Sequence, residues 1–368
     1  MMRRTTIKDV AEKAGVSIGT VSAVLNRRDS VRSVTRKRVL SVMDTLNYRP
    51  VEAARRRLGT PREKTLGLVV KEIHNPYFAD IIVGAQEEAR KHDYQLLVMS
   101  SEQVFEREVD AVNALVAKDI DGLIINPLIE QGAHDAQGTE GEKGTEATQA
   151  THFRDLEANN IPFVTIEGDA GDVASVVDID NEQGAFDAAM HLLSLGHTDI
   201  VHLAGPAYSQ HAIERRAGVL RAAPAARIVH AGATLEDGFN AVRDQLEGSC
   251  CTALICYNDL VAIGAMRGLL NQGKRIPEDV SVVGFDDIDV SSYLSVPLTT
   301  VRIPKREMGR RAAAIAIEQI EHPAPPPAIH SPAAPATPIQ SSTPSRSQRV
   351  VLDAELIVRS STSPVKTV

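Results

Sequence analysis

The sequence predicts an α/β body made of two doubly wound lobes, preceded by a small all-α head. From residue 65 onward, apolar runs of strand length alternate with amphipathic stretches, which is typical of parallel sheets with crossover helices. The first 64 residues instead contain short helical stretches and many basic side chains. With 368 residues, 43% of them hydrophobic, the chain can bury more core than one ordinary domain.

The head begins with two short helices separated by a glycine. Val10 and Ala11 start an apolar stripe, and Gly15 is expected to end the first helix. Ser17 is placed to cap the second helix by accepting a hydrogen bond from one of its free amides. The short turn predicts a helix-turn-helix, a motif that places a helix in the major groove of DNA.

Charge divides the chain at the same place. Residues 1–64 hold 16 Lys or Arg and 6 Asp or Glu, a net charge of +10, so the whole-chain charge of −8 leaves −18 for the remaining residues. A third helix, over about residues 34–46, opens with Thr35-Arg-Lys-Arg38. These cations suit contact with DNA phosphates, which would repel the acidic remainder. The alternative for the cluster is an ordinary solvated helix face.

In the body, strands and helices are expected to alternate. Each strand is bounded by Gly, Pro, Asn or Asp, and early helices are expected over about 76–92 and 104–117. So many βα units indicate two lobes rather than one sheet. The expected strands are 66–70, 96–99, 122–125, 162–166, 200–203, 253–256 and 280–284, with a final strand-like pair at 350–352 and 356–358.

Two segments interrupt this alternation. Residues 130–150 have no apolar side chain larger than alanine, and residues 323–348 are rich in proline and serine. Neither composition can pack a core, so we expect a mobile loop in the first case and an exposed linker in the second.

Several function classes are disfavoured. No run reaches the roughly 18 apolar residues of a membrane span, and the basic start lacks an apolar segment behind it, so we expect a cytoplasmic protein, nucleoid-associated when bound to DNA. The three cysteines match neither metal-ligand nor redox spacing, so inert reduced thiols are expected, with a redox role as the alternative. Asp286 and Asp287 are adjacent and cannot form a facing acid–base pair, and the histidines are scattered. We therefore expect no catalysis, no metal and no cofactor.

A series of motifs follows the first two helices in a recognisable order. They are Asn47-Tyr-Arg-Pro50, Asn181-x-x-Gly184, Leu195-Gly-His-Thr198, Leu203-Ala-Gly-Pro206, Arg215-x-x-Gly218, Tyr257-Asn-Asp-Leu-Val-Ala-Ile-Gly264, Ile276-Pro-Glu-Asp-Val-Ser-Val-Val-Gly-Phe-Asp-Asp287 and Pro297-Leu-Thr-Thr300. Together they resemble the lactose-repressor (LacI/GalR) family of bacterial transcription regulators. The resemblance covers nearly the whole chain.

The resemblance implies a periplasmic-binding-protein-like body with a ligand cleft between its lobes and crossovers near residues 178, 302 and 322. It also implies a helix-turn-helix domain at 1–49, a hinge helix or linker at 50–60, and an effector-binding and dimerisation domain at 61–368. In that last domain, the first lobe is expected over about 61–178 and 303–322, and the second over about 179–302 and 323–368.

The DNA contacts are likewise implied by the resemblance. The second helix of this family faces base edges, which places Ile18, Gly19 and Ala23 there. None of these has a hydrogen-bonding side chain, so contact with thymine methyls is the readout open to them. Ile18 could instead pack into the core of the head. The other expected contacts, mainly to phosphates, are Thr6, Ser17, Thr20, Ser22, Asn26, Thr35, Arg36, Arg38 and Tyr48.

Residues 50–58 resemble the hinge helix of the family, which wedges a leucine into the minor groove. The usual leucine position, seven residues after the proline, holds Arg57, and Leu58 comes one residue later. Either side chain could enter the groove, and a flexible linker is the alternative. Ala54 and Arg55 are also expected to contact DNA here.

In the cleft, Asp286 and Asp259 each follow a strand directly and occupy ligand-binding aspartate positions of the family. The alternative for Asp259 is a cap on the helix that follows it. Arg215 is expected to clamp hydroxyls or a carboxylate, with a salt bridge near Glu214 as the alternative. The remaining expected contacts are Asn75, Tyr77, Phe78, Glu167 and Asn258, among which Tyr77 and Phe78 could equally be core residues.

These expectations describe a homodimeric, sequence-specific repressor of a palindromic operator, controlled by a small effector. Two half-sites are needed because one short helix reads only a few base pairs. A sugar or sugar derivative is expected, but the chain has no Trp and 4% aromatic residues, so a nucleoside or small organic acid stays open. The rival interpretations are a weakly specific architectural DNA-binding protein and a ligand-binding module with little regulatory role.

Overall fold

The computed structural model describes residues 6–25, 31–46, 64–128, 151–158, 161–168, 174–323 and 347–366. The helices are α1 (Ile7–Ala14), α2 (Ile18–Leu25), α3 (Ser33–Thr45), α4 (Pro76–Lys91), α5 (Phe105–Ala117), α6 (Thr151–Ala158), α7 (Asn181–Ser194), α8 (Gln210–Ala222), α9 (Leu235–Gln245), α10 (Asp259–Asn271) and α11 (Lys305–Glu321), with a 3-10 turn at Asp289–Ser292.

The strands are β1 (Thr65–Val70), β2 (Gln95–Ser100), β3 (Gly122–Ile125), β4 (Phe163–Ile166), β5 (Ser175–Ile179), β6 (Ile200–Ala204), β7 (Arg227–His230), β8 (Ala253–Cys256), β9 (Ser281–Asp286), β10 (Thr299–Arg302), β11 (Arg349–Leu352) and β12 (Glu355–Ile357).

Helices α1 to α3 form the head. Gly15 ends α1 with φ +63°, and the Thr20 amide donates to Oγ of Ser17 over 3.1 Å at the start of α2. The glycine turn and the Ser17 cap expected from the sequence are thus confirmed. Thr6 caps α1 and forms a reciprocal capping box with Asp9. The three helices enclose a small core that includes Val10, Val21, Val24, Val39 and Met43.

The first lobe is a six-stranded parallel sheet in the order β11-β5-β4-β3-β1-β2. Helices α4 and α11 cover one face, and α5 and α6 cover the other. Because both faces are covered, β1, β3 and β4 are apolar along most of their length and fully buried. Gly84 on α4 and Gly309 on α11 leave no room for a Cβ, so the two helices pack backbone to backbone.

The second lobe is a six-stranded sheet in the order β12-β10-β9-β8-β6-β7, parallel except for β12, which is antiparallel to β10. Helices α9 and α10 cover one face, and α7 and α8 cover the other. The two doubly wound lobes predicted from the sequence are confirmed. The stretch 221–252 supplies β7 and α9.

The chain passes between the lobes three times. It passes from β5 to α7 at Asp180, from β10 to α11 at residues 303–304, and from β11 to β12 at residues 353–354. The crossover expected near residue 322 is wrong, and so is the assignment of all of 323–368 to the second lobe. Strand β11 pairs in parallel with β5 and forms the edge of the first-lobe sheet. It joins this sheet because its apolar residues Val350 and Leu352 pack against the hydrophobic core.

Three strands escaped the sequence prediction, and one of them, β10, has Val301 as its single apolar residue. Strand β7 has only one buried residue, and β5 contains a serine and an aspartate within its apolar run. The expected loop at 130–150 lies outside the described residues, as does most of the expected linker at 323–348. None of the helices that the structure describes is long and apolar enough to cross a membrane.

Candidate functional site

One face of the head carries the residues expected to read DNA. The Ile18 side chain is 44% exposed at the start of α2, and Gly19 beside it is exposed. Val21 and Val24 instead point into the core of the head. The alternative that Ile18 packs into that core is therefore wrong. Ala23, Thr20 and Ser22 are half-buried along the same helix.

The basic start of α3 is also accessible. Arg38 is exposed, while Thr35 and Arg36 are half-buried. Six further expected DNA contacts lie outside the described residues, namely Asn26, Tyr48, Ala54, Arg55, Arg57 and Leu58.

A cavity of about 810 Å³ lies between the two lobes of the body. Residues that directly follow β1, β3, β4 and β8, together with Asp286 at the end of β9, line it. Parallel strands bring their carboxyl ends to one edge of a sheet, so the crevice collects these side chains from both lobes. Of the eight effector contacts expected from the sequence, seven line the cavity: Asn75, Tyr77, Phe78, Glu167, Arg215, Asn258 and Asp286.

Arg215 and Asp286 form the buried centre of the second-lobe wall. The Arg215 side chain is 5% exposed; its Nε donates to Oδ1 of Asn181 (2.8 Å) and its Nη1 to the carbonyl of Tyr257 (2.7 Å). Its guanidinium carbon lies 3.7 Å from the ring centroid of Phe285 and its Nη1 lies 3.5 Å from Oδ1 of Asp286. The salt bridge is therefore with Asp286, and Glu214 instead accepts from Asn181 and Gln210.

Asp286 combines burial with an unfilled acceptor. Among the described residues, no hydrogen bond reaches its Oδ1, although Arg215 is near. Burial raises the pKa of Asp286 to about 7, while the cations of Arg215 and Lys305 oppose the rise. The backbone here is also unusual, since Asp286 (φ +106°) and the following residue Asp287 (φ +50°) both adopt positive φ. A hydrogen-bond donor on a ligand would satisfy this acceptor, which is otherwise unfavourable because burial removes it from water.

Asp259 does not line the cavity, which corrects the sequence expectation. Its side chain is 0% exposed; Oδ1 accepts from Oγ1 of Thr300 (2.5 Å) and Oδ2 from the amide of Ile288 (2.9 Å). Burial raises the pKa of Asp259 to about 8. The alternative role as a helix cap is also wrong, because Asn258 caps α10 by accepting from Val261 over 2.8 Å. Asp259 instead ties β9 and β10 to the start of α10.

The first lobe contributes aromatic and amide groups. Tyr77 and Phe78 are buried at the start of α4 and line the cavity, while Asn75 caps that helix through the amide of Tyr77. Glu167 follows β4 with φ +51°. Next to it, Asn126 donates to the carbonyl of Ile166 over 2.8 Å, and no hydrogen bond from a described residue reaches its buried Oδ1.

Other cavity residues were missed by the sequence analysis. Lys71, Asn126 and Tyr257 follow β1, β3 and β8, so the strand-end rule that found Asp286 would also have found them. His211, on α8, and the pair of Asp178 with Arg349, whose Nη2 lies 2.7 Å from Oδ2, come from separated parts of the chain and gave no sequence signal. Burial lowers the pKa of His211 to about 3, and burial also raises the pKa of Asp178.

Reactive groups elsewhere are sparse. Among the described residues, no group of three His, Cys, Asp or Glu side chains could hold a metal ion. Cys250 is exposed, whereas Cys251 and Cys256 are buried, and burial raises the pKa of both buried thiols. A raised pKa keeps a thiol protonated and unreactive.

Comparison with known proteins relates both regions to one family. The model for "Bacterial regulatory proteins, lacI family" matches residues 6–51, and the model for "Periplasmic binding protein-like domain" matches residues 189–362. The HTH-type transcriptional repressor PurR of Aliivibrio fischeri (strain MJ11) is 34% identical over 330 residues, covering 86% of this chain and 92% of that protein. PurR of Vibrio campbellii is 32% identical over 327 residues with the same coverage.

Three solved structures share the architecture. The transcriptional regulator CelR in complex with cellobiose has a TM-score of 0.65 at 26% identity, covering 97% of this chain and 100% of that chain. A LacI family regulator from Enterococcus faecalis V583 with bound ribose has a TM-score of 0.67 at 26% identity, covering 82% and 100%. The Lac repressor dimer bound to operator and the anti-inducer ONPF has a TM-score of 0.64 at 27% identity, covering 98% and 100%.

Proposed function

The chain belongs to the lacI family of bacterial regulatory proteins and is a DNA-binding transcriptional regulator, and from that premise we propose how it works. It represses transcription as a homodimer on a palindromic operator, and a small effector in the cavity between the lobes sets its operator affinity. The observation that carries this proposal is the cavity itself, where polar groups from both lobes converge on a buried arginine–aspartate pair whose acceptor is unfilled.

The head supports operator binding by its exposed face. Ile18 and Gly19 lie accessible at the start of α2, and Arg38 is exposed on α3. Ile18 can contact a thymine methyl, and Arg38 can neutralise a phosphate. A single head reads too few base pairs for useful specificity, so two heads on two half-sites are required. The hinge contacts at residues 54–58 remain part of this proposal.

The three crossovers support coupling between effector and DNA. An effector that contacts Asn126 in the first lobe and Asp286 in the second stabilises one relative orientation of the lobes. That orientation sets the spacing of the two first lobes in a dimer and therefore of the heads. Linkage then requires operator and effector to change each other's affinity by the same factor.

The lining of the cavity supports a neutral ligand rich in hydroxyl groups, such as a sugar. Two donors of Arg215 are taken by Asn181 and Tyr257, and its charge is already paired with the Asp286 carboxylate, which disfavours a second carboxylate from a ligand. The chain has seven Phe and six Tyr residues. Five residues of this combined set line the cavity, namely Tyr77, Phe78, Phe105, Tyr208 and Tyr257. The low aromatic content therefore does not deprive the site of stacking surfaces. Ribose and cellobiose, bound by two of the structural neighbours, are the first compounds to test.

The test uses the full-length protein. A thermal-shift screen of sugars, nucleosides and organic acids identifies compounds that raise the melting temperature, and selection from a random duplex library identifies the operator. Fluorescence anisotropy then measures operator affinity with and without each compound. We expect a palindromic site and a change of at least about fivefold in its affinity with an active compound.

Matched variants assign the effect to the cavity. Asp286→Asn should abolish the response to the compound, whereas Asp289→Asn, which changes an exposed carboxylate nearby, should preserve it. Equal affinity for random and selected duplexes would instead favour an architectural DNA-binding protein. Turnover of a compound during the screen would contradict the expectation that the protein is not an enzyme.

A further inference from the structure

A buried lysine joins the first lobe to the turn that carries Asp286. Lys305 is the first residue of α11, whose helix belongs to the first lobe, and it is 5% exposed. Lysine side chains are rarely this buried unless their ammonium groups have partners, because burial removes the hydration of the charge.

The partners of Lys305 lie in both lobes. Its Nζ donates to the backbone carbonyls of Asp286 and Asp287 (2.8 Å for Asp287) in the second lobe. In the first lobe, Oδ2 of Asp80 on α4 lies 4.0 Å from the same Nζ. The ammonium therefore donates to both carbonyls of the turn, while the Asp80 carboxylate, too distant for a hydrogen bond, acts on it through charge.

The two carbonyls belong to a strained turn. Asp286 and Asp287 both have positive φ, which costs free energy for residues other than glycine and persists only where surrounding contacts enforce it. On the side-chain side of the turn, Arg302 donates to Oδ2 of Asp287 over 2.8 Å and Arg359 donates to Oδ1 over 2.5 Å. Those two arginines act from the second lobe, whereas Lys305 holds the backbone of the turn from the first lobe.

We propose that Lys305 is a positioning residue that fixes the Asp286–Asp287 turn, and so directs the Asp286 carboxylate into the cavity, without itself touching the effector. Lys305 does not line the cavity. The inference rests on the proposed role of Asp286 as an effector contact.

Lys305 also connects the Asp286–Asp287 turn mechanically to the helices of the first lobe. Helix α11 packs against α4 at Gly84 and Gly309 without intervening side chains, so the two helices form a rigid pair. Lys305 and Asp80 both belong to this pair. A movement of the turn when an effector binds Asp286 therefore acts on the first lobe through the ammonium of Lys305.

Hydrogen exchange on the full-length protein without any added compound tests this inference. Lys305→Met keeps the length and volume of the side chain but removes its donors. We expect the amides of Ile288 and Ser291, which donate to Asp259 and to Ile288, to exchange at least about tenfold faster in that variant. The amides of β6, in the same lobe but away from the turn, should change less than about twofold.

Two further variants separate positioning from general stability. Lys305→Arg restores donors and should return exchange at the turn toward the wild-type rate. Arg306→Met removes the adjacent exposed side chain, whose partner Glu87 lies in the same lobe, and should leave the turn unchanged. Unchanged exchange at Ile288 in Lys305→Met, or an equal increase throughout both lobes, would overturn the inference. A wild-type response to active compounds in Asp286→Asn would refute the proposed effector contact of Asp286, whereas the exchange measurement, which needs no compound, would still decide whether Lys305 holds the turn.

Discussion

The exposed face of α2, which we propose reads DNA, and the cavity of the body, which we propose binds an effector, differ in how their side chains relate to the folded structure. The reading face presents Ile18 and Gly19 to solvent, outside the head core. The cavity removes Arg215 and Asp286 from solvent and holds them in mutual contact. Substitutions at Ile18 can change what the head recognises without affecting its fold, whereas Arg215 and Asp286 are also part of the buried structure of the body.

Removing the arginine at the centre of the cavity should give the largest loss of stability and tests this difference most directly. Arg215→Met leaves the Asp286 carboxylate without its cation, and it leaves the side-chain oxygen of Asn181 and the carbonyl of Tyr257 without the donor they have now. We expect the free energy of unfolding to fall by about 3 kcal/mol, because breaking a buried pair leaves its partner uncompensated. Urea denaturation measures the loss. The adjacent half-buried Arg216 provides the control, and a similar loss in Arg216→Met would show that the pair is not special.

A second test asks whether Asp259 belongs to the framework rather than to the ligand site. Its pKa is about 8 in the folded protein and about 3.9 in an unfolded chain, so the folded state retains a proton that the unfolded state releases. The resulting stability is complete below the unfolded value and is lost as pH rises through about 8. Asp259→Asn should reduce this decline by about 4 kcal/mol between pH 5 and 8, leaving a smaller decline of the same sign from Asp286.

Urea denaturation between pH 5 and 8 checks the second prediction. The affinity for an active compound should stay within about threefold of wild type, because Asp259 lies outside the cavity lining. An unchanged pH profile together with lost binding would return Asp259 to the ligand site.

On the reading face, Ile18→Ala should separate DNA affinity from stability. We expect operator affinity to fall about fivefold through loss of thymine-methyl contact, with little change on random duplex. The free energy of unfolding should change by less than about 0.5 kcal/mol, since the side chain is exposed. Anisotropy titrations and thermal melts measure the two quantities. If affinity for both duplexes fell together, Ile18 would not be reading sequence.

The smallest expected effect concerns a single phosphate contact. Arg38→Gln should reduce the slope of log affinity against log salt by about 1, without changing the preference for operator over random duplex. Salt titrations of both duplexes measure the slope. A changed preference would assign Arg38 to base recognition instead.

The sequence predicted the architecture well where periodicity was strong. Buried strands such as β1, β3 and β8 are continuous apolar runs, and their positions were found within one or two residues. The half-exposed edge strand β7 lacks such a run and was missed. The lobe of β11 could not be derived because it depends on pairing with β5, about 170 residues earlier in the chain.

The site was predicted in part for a similar reason. Asp286 was identified because it ends a strand, which local sequence shows. The same rule misassigned Asp259. Asn258, the cap of α10, lines the cavity, whereas Asp259, the first residue of that helix, does not. The contact of Arg349 with Asp178 depends on the pairing of β11 with β5, and the contacts of Lys305 with the Asp286–Asp287 turn depend on the crossover after β10, so no local pattern reports either.

The two-residue connection between β11 and β12 has a consequence for how the body can be divided. The final strands attach to opposite sheets, so the two lobes are interlaced rather than consecutive, and no single cut in the polypeptide yields two complete halves. Expression of either lobe as an independent fragment therefore requires joining distant pieces of the gene. Loss of residues 347–366 would strip an edge strand from each sheet at once.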